Sequence, residues 1–178
     1  MNFQANSKSA LLTQLDILIE QYRTVIQTTP SDKIILQPNG KWSIAQNIDH
    51  INKSNWLTTV GYKTPHVLLK IIFGKPTVSS RPTEDIIHTY QSKLKSGAKS
   101  PKLLEAGKSK PVDKNALLTH FDNQIASLKK SIATWSETDL EAYLLPHPIL
   151  GKLTGKEMLS FTVYHMFHHM NTIQRILG

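Results

Sequence analysis

Four stretches of this sequence place apolar residues three and four positions apart, the spacing of an amphipathic α-helix, while signals for β-strands are weak throughout. The stretches run from about residue 7 to 27, 42 to 62, 113 to 135 and 154 to 177. A chain of 178 residues is long enough to bury a sizeable core within one domain. The pattern therefore predicts an all-α protein in which residues 1–178 form a single four-helix-bundle domain.

The second and third predicted helices are joined by a long connection, from about residue 63 to 112. It contains five prolines, which interrupt regular structure: Pro65, Pro76, Pro82, Pro101 and Pro111. The apolar run His66–Phe73 favours one or two helical turns, and Thr83–Ile87 favours the start of another short helix. Because a structureless loop of this length is unusual in a compact domain, we expect an irregular crossover that packs across the bundle.

The positive charge of the chain is concentrated in and just after this crossover. Lysine and arginine number 21 against 13 aspartate and glutamate, which gives a net charge of +8. Seven of the lysines lie between residues 93 and 114. A basic stretch of this kind can bind nucleic acid, but serine, glycine and proline separate these lysines, and Tyr90 is the only aromatic residue nearby. We therefore expect a solvated basic segment without specific nucleic-acid binding.

The sequence lacks the usual marks of export and of membrane insertion. It contains no cysteine, so disulfides, thiolate metal sites and cysteine nucleophiles are excluded. Residues Met1–Asn6 lack the basic start and apolar run of a signal peptide. No apolar stretch approaches the roughly 20 residues that a membrane-spanning helix needs. We expect a soluble cytoplasmic protein with no membrane partner.

A histidine pair lies on the apolar face of the last predicted helix. His165 and His169 are four residues apart and each lies roughly 20° from Met158 on a helical wheel, whereas His168 lies about 80° away. Buried imidazoles are costly without a partner, and a converging pair is typical of a divalent-metal site. We therefore predict that His165 and His169 are metal ligands and that His168 borders the site or reaches solvent. The alternative is a pair of core histidines satisfied by hydrogen bonds.

A metal held by two side chains needs a third ligand from another element. The candidates are Asp49, His50, His66, His88, His120 and His147. His50 follows a capping box that begins at Ser43, but periodicity places it only on the flank of its helix. Spacing does not decide between these residues. His147 lies between two prolines just before the last helix, where it either borders the cleft or packs the turn.

Three patches of the chain resemble the DinB-like superfamily: Trp42–Ile51, His147–Thr154 and Tyr164–His169. Their order and spacing are more specific than any one patch. The resemblance implies a four-helix bundle that holds a divalent metal, commonly zinc or nickel, through three histidines, which match His50, His165 and His169. Members often carry glutamine three residues after the final ligand, where this chain has Thr172.

The resemblance also implies what the protein does. The family includes thiol S-transferases that use low-molecular-weight thiols, and members described as metal-dependent hydrolases; dimers are frequent. We therefore expect a metal-dependent transferase or hydrolase that acts on a small molecule, as a homodimer, and the alternative is a non-catalytic metal-binding or sensing module. Glu157 is predicted to cap the last helix rather than to act as a base. Hydrolysis is thereby less favoured than thiol transfer, which requires only metal activation and positioning.

Overall fold

Four long helices form the body of the protein, and the computed structural model describes residues 7–178. The elements are α1 (Lys8–Thr28), α2 (Ser31–Ile34), α3 (Ile44–Lys63), α4 (His66–Phe73), α5 (Thr83–Lys95), α6 (Lys114–Ala133), α7 (Glu137–Ala142), β1 (Leu144–His147), β2 (Gly151–Thr154) and α8 (Gly155–Leu177), with 3-10 turns at Pro38–Gly40 and Lys102–Leu104. Residues 1–6, where the sequence shows no signal-peptide pattern, lie outside the described residues. The predicted four-helix bundle is confirmed, and α1, α3, α6 and α8 are its members.

The long helices begin where the sequence predicts because polar side chains satisfy their first backbone N–H groups. The capping box of α3 is formed by Ser43 and Gln46, and that of α8 by Thr154 and Glu157. Asp113 caps α6 by accepting hydrogen bonds from the next helical turn. These caps fix the helix starts to within one or two residues of the predicted positions.

The four helices pack in a ring in which α1 contacts α6 and α8, and α3 contacts the same two helices. The consecutive long helices α1 and α3 therefore lie diagonally across the bundle. Burial of the predicted apolar stripes forms the core. At one end of the core, the indole N–H of Trp135 donates to the carbonyl of Tyr62 at 2.9 Å, and the Tyr62 hydroxyl donates to the carbonyl of Gly155 at 2.6 Å.

The crossover between α3 and α6 is more helical than the predicted irregular connection. It contains α4 and the 13-residue helix α5, which begins directly after Pro82 and buries Ile86 and Tyr90. Helix α5 packs against α8, so its stability comes from a tertiary contact that its own short periodicity does not reveal. As expected, the crossover packs across the bundle: the side chain of Gln46 donates to the carbonyl of Gly107 at 2.7 Å.

A β-hairpin that the sequence did not indicate lies directly before α8. Strands β1 and β2 pair antiparallel, with Leu144 opposite Thr154 and His147 opposite Gly151. Gly151 has a φ of +80°, which glycine adopts without steric cost at the end of the turn. The hairpin fixes the position of His147 beside the start of α8. Among the described helices, none combines the length and apolar character that a bilayer span demands.

Candidate metal centre

Three histidines from two helices converge inside the bundle. His50 comes from α3, and His165 and His169 come from successive turns of α8. One ring nitrogen of each lies within 4.8 Å of the other two, and the Nε2 atoms of His50 and His165 are 3.2 Å apart. All three side chains are buried, with at most 8% exposure. Their number, type and spacing suit a divalent metal ion.

Hydrogen bonds fix the orientation of two of the three rings. The Nδ1–H of His50 donates to the carbonyl of Leu104 at 2.6 Å. The Nδ1–H of His169 donates to Oδ1 of Asn47 at 2.8 Å, and the amide of Asn47 is itself oriented because its Nδ2 donates to the carbonyl of Ser43. With the proton on Nδ1, each ring carries an unprotonated Nε2 whose lone pair can bind a metal, and that of His50 lies at hydrogen-bond distance from the Nε2 of His165. Such a partner on the second ring nitrogen is typical of metal-ligating histidines.

The surroundings keep the three imidazoles neutral. Burial lowers the pKa of His50 in spite of its hydrogen bond to the Leu104 carbonyl. Burial, reinforced by the neighbouring histidines, holds the pKa values of His165 and His169 well below their usual range. Protonation of any one ring would place a charge in a desolvated space beside the other two. Neutral imidazole is the form of histidine that binds metal.

Aromatic rings close the histidine group from two sides. The ring of Trp42 lies 5.1 Å from that of His50 and 6.3 Å from that of His169, measured between ring centroids. On the other side, Phe161 stacks on His165 at 5.2 Å with an interplanar angle of 20°. These contacts restrict the rotation of the imidazoles and exclude water from their flanks.

A cavity of about 390 Å³ opens beside the three histidines. Its wall is mostly apolar and is formed by residues of α3, α4, α5, α8 and the hairpin. No aspartate, glutamate, lysine or arginine of the described residues lines it. The volume lies within the range of small-molecule binding sites. The arrangement therefore joins a candidate metal centre to a candidate ligand pocket.

His147 lies on the wall of this cavity and also packs against the hairpin turn. Its Nδ1 accepts hydrogen bonds from the backbone N–H groups of Ile149 and Leu150, at 3.2 and 3.0 Å. Its ring contacts Phe161 edge to face, with 4.3 Å between centroids. Burial lowers the pKa of His147 to about 4, so the ring is neutral at physiological pH.

His168 also lines the cavity, although it is not one of the three converging histidines. Its ring lies 6.3 Å from that of Tyr90, which enters the site from α5. Burial lowers the pKa of His168 and raises the pKa of Tyr90 to about 12. Thr172, where the family often has glutamine, donates to the carbonyl of His168 rather than to one of the three converging rings.

The other candidates for a third ligand lie outside the group: Asp49, His66, His88 and His120. Asp49 forms an ion pair with Lys53 at 2.8 Å. His66 stacks on Tyr143 at 4.1 Å, near the far end of the core. The remaining two histidines are exposed on α5 and α6. Of the open candidates for a third ligand, the structure brings only His50 to the pair on α8.

Glu157 serves the helix cap, as the sequence predicted. Its carboxylate accepts from the backbone N–H of Thr154 at 3.1 Å and from the guanidinium of Arg81 at 2.7 Å. Although burial alone would raise the pKa of Glu157, the hydrogen bonds from Arg81 lower it overall. Glu157, the carboxylate closest in sequence to the histidine pair, is therefore engaged in the helix cap and in the ion pair with Arg81.

Sequence reasoning missed the residues that support the histidines. Asn47 lies one helical turn before His50, and this spacing was a usable signal for a side chain on the same flank. The carbonyl of Leu104 gave no signal, because every residue carries a carbonyl and only the fold selects this one. The contacts of Trp42 with two of the rings, tilted on His50 and stacked on His169, likewise depend on how α3 and α8 meet.

The protein is thus a four-helix bundle with a candidate metal centre. Its three histidines are buried inside the bundle, beside a cavity large enough for a small molecule. This chain belongs to the DinB superfamily, whose family model matches residues 14–173. The resemblance seen in the sequence is thereby confirmed. Among the curated proteins, no sequence matches the chain significantly.

Solved structures share this fold over nearly the whole chain. The four-helix bundle protein TT2238 aligns with a TM-score of 0.62 at 13% identity, over 95% of this chain and 99% of that one. YfiT from Bacillus subtilis, described as "a probable metal-dependent hydrolase with an unusual four-helix bundle topology", has a TM-score of 0.62 at 18% identity, over 99% and 90%. The colibactin self-resistance protein ClbS, solved in complex with a double-stranded DNA, aligns with a TM-score of 0.59 at 13% identity, over 97% of this chain and 96% of that one. At these identities the similarity shows the fold alone.

Proposed function

We propose that this protein binds one divalent transition metal through His50, His165 and His169 and is a metal-dependent enzyme acting on a small molecule. The main support is the convergence of three buried neutral imidazoles, two of them oriented through their Nδ1 atoms. Imidazole ligands suit zinc and nickel. The description of YfiT, which shares the fold, as "a probable metal-dependent hydrolase" agrees with the metal dependence proposed here.

The residues around the histidine group favour thiol S-transfer over hydrolysis. A metal with three imidazole ligands supplies Lewis-acid activation at an open coordination position. The cavity residues of this chain bind the organic part of the substrate and exclude water, while Trp42 and Phe161 hold the rings in place. No carboxylate of the described residues lines the cavity, so hydrolysis lacks an acidic side chain to act as general base. Thiol transfer requires only that the cavity position the two substrates and that the metal activate the thiol.

The first test is the metal content of untagged protein. We expect close to one zinc or nickel ion per chain after reconstitution with divalent ions and desalting. Failure to retain any of several divalent ions would contradict the proposal. The measurement is elemental analysis of wild type and of His120→Ala, whose exposed histidine lies outside the group and serves as the matched control.

The second test is turnover. Thiols paired with electrophilic acceptors, together with simple esters and amides, are offered to metal-loaded and metal-stripped protein. We expect activity only in the metal-loaded form, lost in His165→Ala and retained in His120→Ala, with the fold checked by circular dichroism. Activity that is indifferent to the metal would contradict the proposal. Metal retention without turnover of any substrate would support the alternative, a non-catalytic metal-binding or sensing module.

A further inference from the structure

No charged side chain of residues 7–178 lines the cavity, although the chain contains 21 lysine and arginine and 13 aspartate and glutamate residues. The titratable groups on the described part of the wall are histidines and Tyr90, and burial keeps these side chains neutral. A charged group that entered this space away from the three histidines would lose its hydration without gaining a counter-charge from a protein side chain. The cavity therefore selects against ligands that carry charge on their organic part.

The inner part of the wall is apolar and tightly packed. Leu69 of α4, Leu145 of β1 and Met158 of α8 are almost fully buried and face the same space. The half-buried residues Leu57 and Phe73 add to this apolar lining. Contact with such a wall removes apolar ligand surface from water, which stabilises binding in proportion to the area covered.

One ring nitrogen of His147 on this wall has no partner among residues 7–178, and neither has the hydroxyl of Ser54, which lines the same cavity. Both hairpin N–H groups that contact His147 donate to its Nδ1, so the proton of the neutral ring lies on Nε2. Among residues 7–178, no protein atom accepts a hydrogen bond from this Nε2–H. The ring of Phe161 lies between His147 and His165, at 4.3 and 5.2 Å from their centroids. The unpaired donor thus lies one aromatic ring away from the histidine group.

We infer that the cavity binds an uncharged, largely apolar small molecule that carries at least one hydrogen-bond acceptor, and that the Nε2–H of His147 donates to that acceptor. The inference deepens the proposed function, since this hydrogen bond holds the polar end of the substrate beside the three histidines. It makes His147 a positioning residue. A substrate whose organic part carries several charges, including a polyionic thiol, does not fit.

The ligand class is tested with methyl ketones of six, eight and ten carbons, titrated into zinc-loaded and metal-free protein and followed by NMR. We expect affinity to rise about fourfold per added methylene until the cavity is full, from the transfer free energy of a methylene group. A ketone of the same length with a terminal ammonium group is the charged control, and we expect it to bind at least about 100-fold more weakly. Equal binding of the charged and uncharged ketones would overturn the inference.

The role of His147 is tested with His147→Asn, because asparagine Oδ1 takes the position of Nδ1 and accepts from the same turn, while its side chain is too short to replace Nε2–H. We expect the variant to bind the eight-carbon ketone about 2- to 13-fold more weakly, the loss of one hydrogen bond. Its affinity for butylbenzene, which has no acceptor, should not change. An equal loss for both ligands would show that the residue only shapes the cavity and would overturn its assigned role.

Zinc content measured on the same samples separates this inference from the proposed function. Ketones that bind with the expected selectivity to a protein that retains no metal would support the ligand class and contradict the metal site. Retained zinc with no selectivity among the ketones would support the metal site and overturn the proposed ligand class.

Discussion

Helix α8 and the crossover between α3 and α6 both contribute to the candidate metal centre, but by different means. Helix α8 supplies two imidazoles, and their four-residue spacing alone places them on one face. The crossover supplies a backbone carbonyl, from Leu104, and parts of the cavity wall, including Tyr90 and Leu69. The positions of the metal-binding groups can therefore be read from helical periodicity, whereas the groups that orient and enclose them cannot.

The crossover is held in place by polar contacts with α3 rather than by periodic apolar packing alone. Asp49 accepts from the N–H of Gly107 at 3.1 Å, and Lys53 donates to the carbonyl of Glu105 at 2.8 Å. Both side chains are about one third exposed or more, so each contact contributes little by itself. Together they fix the segment whose Leu104 carbonyl orients His50. Substitutions in α8 and in the crossover can therefore be compared by their effects on zinc affinity.

The largest effect should follow from removing a ligand on α8. We expect His165→Ala and His169→Ala each to weaken zinc binding by roughly 100-fold or more, because even an outer hydrogen-bond partner of a ligand is worth 10- to 100-fold. His168→Ala, on the same helix but outside the group, should change affinity only a few-fold. Competition with a chromophoric chelator measures all three. If His168 proved essential and His169 dispensable, the assignment of the ligand face would be wrong.

A smaller effect should follow from removing the side chain that orients a ligand. Asn47→Leu removes the acceptor of the His169 Nδ1–H, and we expect zinc affinity to fall about 10- to 100-fold. Asn47→Asp keeps an acceptor for the His169 Nδ1–H but loses the donor to the Ser43 carbonyl, so we expect a smaller loss of zinc affinity than in Asn47→Leu. The same chelator competition measures both. Equal affinities in the two variants would show that the hydrogen bond to His169 does not support the metal.

The stability of the metal-free protein should depend on pH through His147. Its pKa of about 4 lies below the unfolded value of about 6.5. Between these values the unfolded chain binds more protons, so stability is complete above about pH 6.5 and is lost as the pH falls toward 4. We expect wild type to lose up to about 1.4 kcal/mol per pH unit more than His147→Asn in this window. Urea unfolding at pH 7.5, 6.0 and 5.0 measures the difference, and parallel pH profiles would contradict it.

Removing one contact between the crossover and α3 should lower zinc affinity only weakly. Asp49→Ala removes the acceptor for Gly107 and the ion pair with Lys53. Since an exposed pair is worth at most about 1 kcal/mol, we expect zinc affinity to fall no more than about fivefold. Lys129→Ala, which removes an exposed ion pair with Asp16 far from the crossover, is the control. A loss as large as that of Asn47→Leu would show that the crossover supports the metal as directly as α8 does.

The smallest expected effect concerns nucleic acid. The lysines of the crossover are exposed and lack a set of aromatic residues for stacking, so we expect only weak DNA binding that collapses with added salt. The complex of ClbS with DNA makes the measurement informative, since that protein shares the fold. Fluorescence anisotropy with double-stranded DNA at low and physiological salt is sufficient. Sequence-selective binding that persists at physiological salt would contradict the expectation.

Much of the fold could be predicted because its signals are local. The apolar stripe of α1 and the capping boxes of α3 and α8 lie within a few residues of the structure that they specify. The hairpin around His147 was missed because its strands are only four residues long and contain a proline. Helix α5 was underestimated because its apolar face is completed by α8.

The sequence by itself determined four amphipathic helices, where they begin, and the common face of His165 and His169, since each follows from neighbouring residues and the 3.6-residue turn. The sequence selected His50 from the candidates for the third ligand only through resemblance to a family, because periodicity placed that residue on the flank of its helix. Only the tertiary structure decided that the Leu104 carbonyl contacts His50, that Asn47 contacts His169, and that no charged side chain of the described part of the chain lines the cavity. These contacts join residues more than fifty positions apart, and the packing of whole elements, rather than any local pattern, brings such residues together.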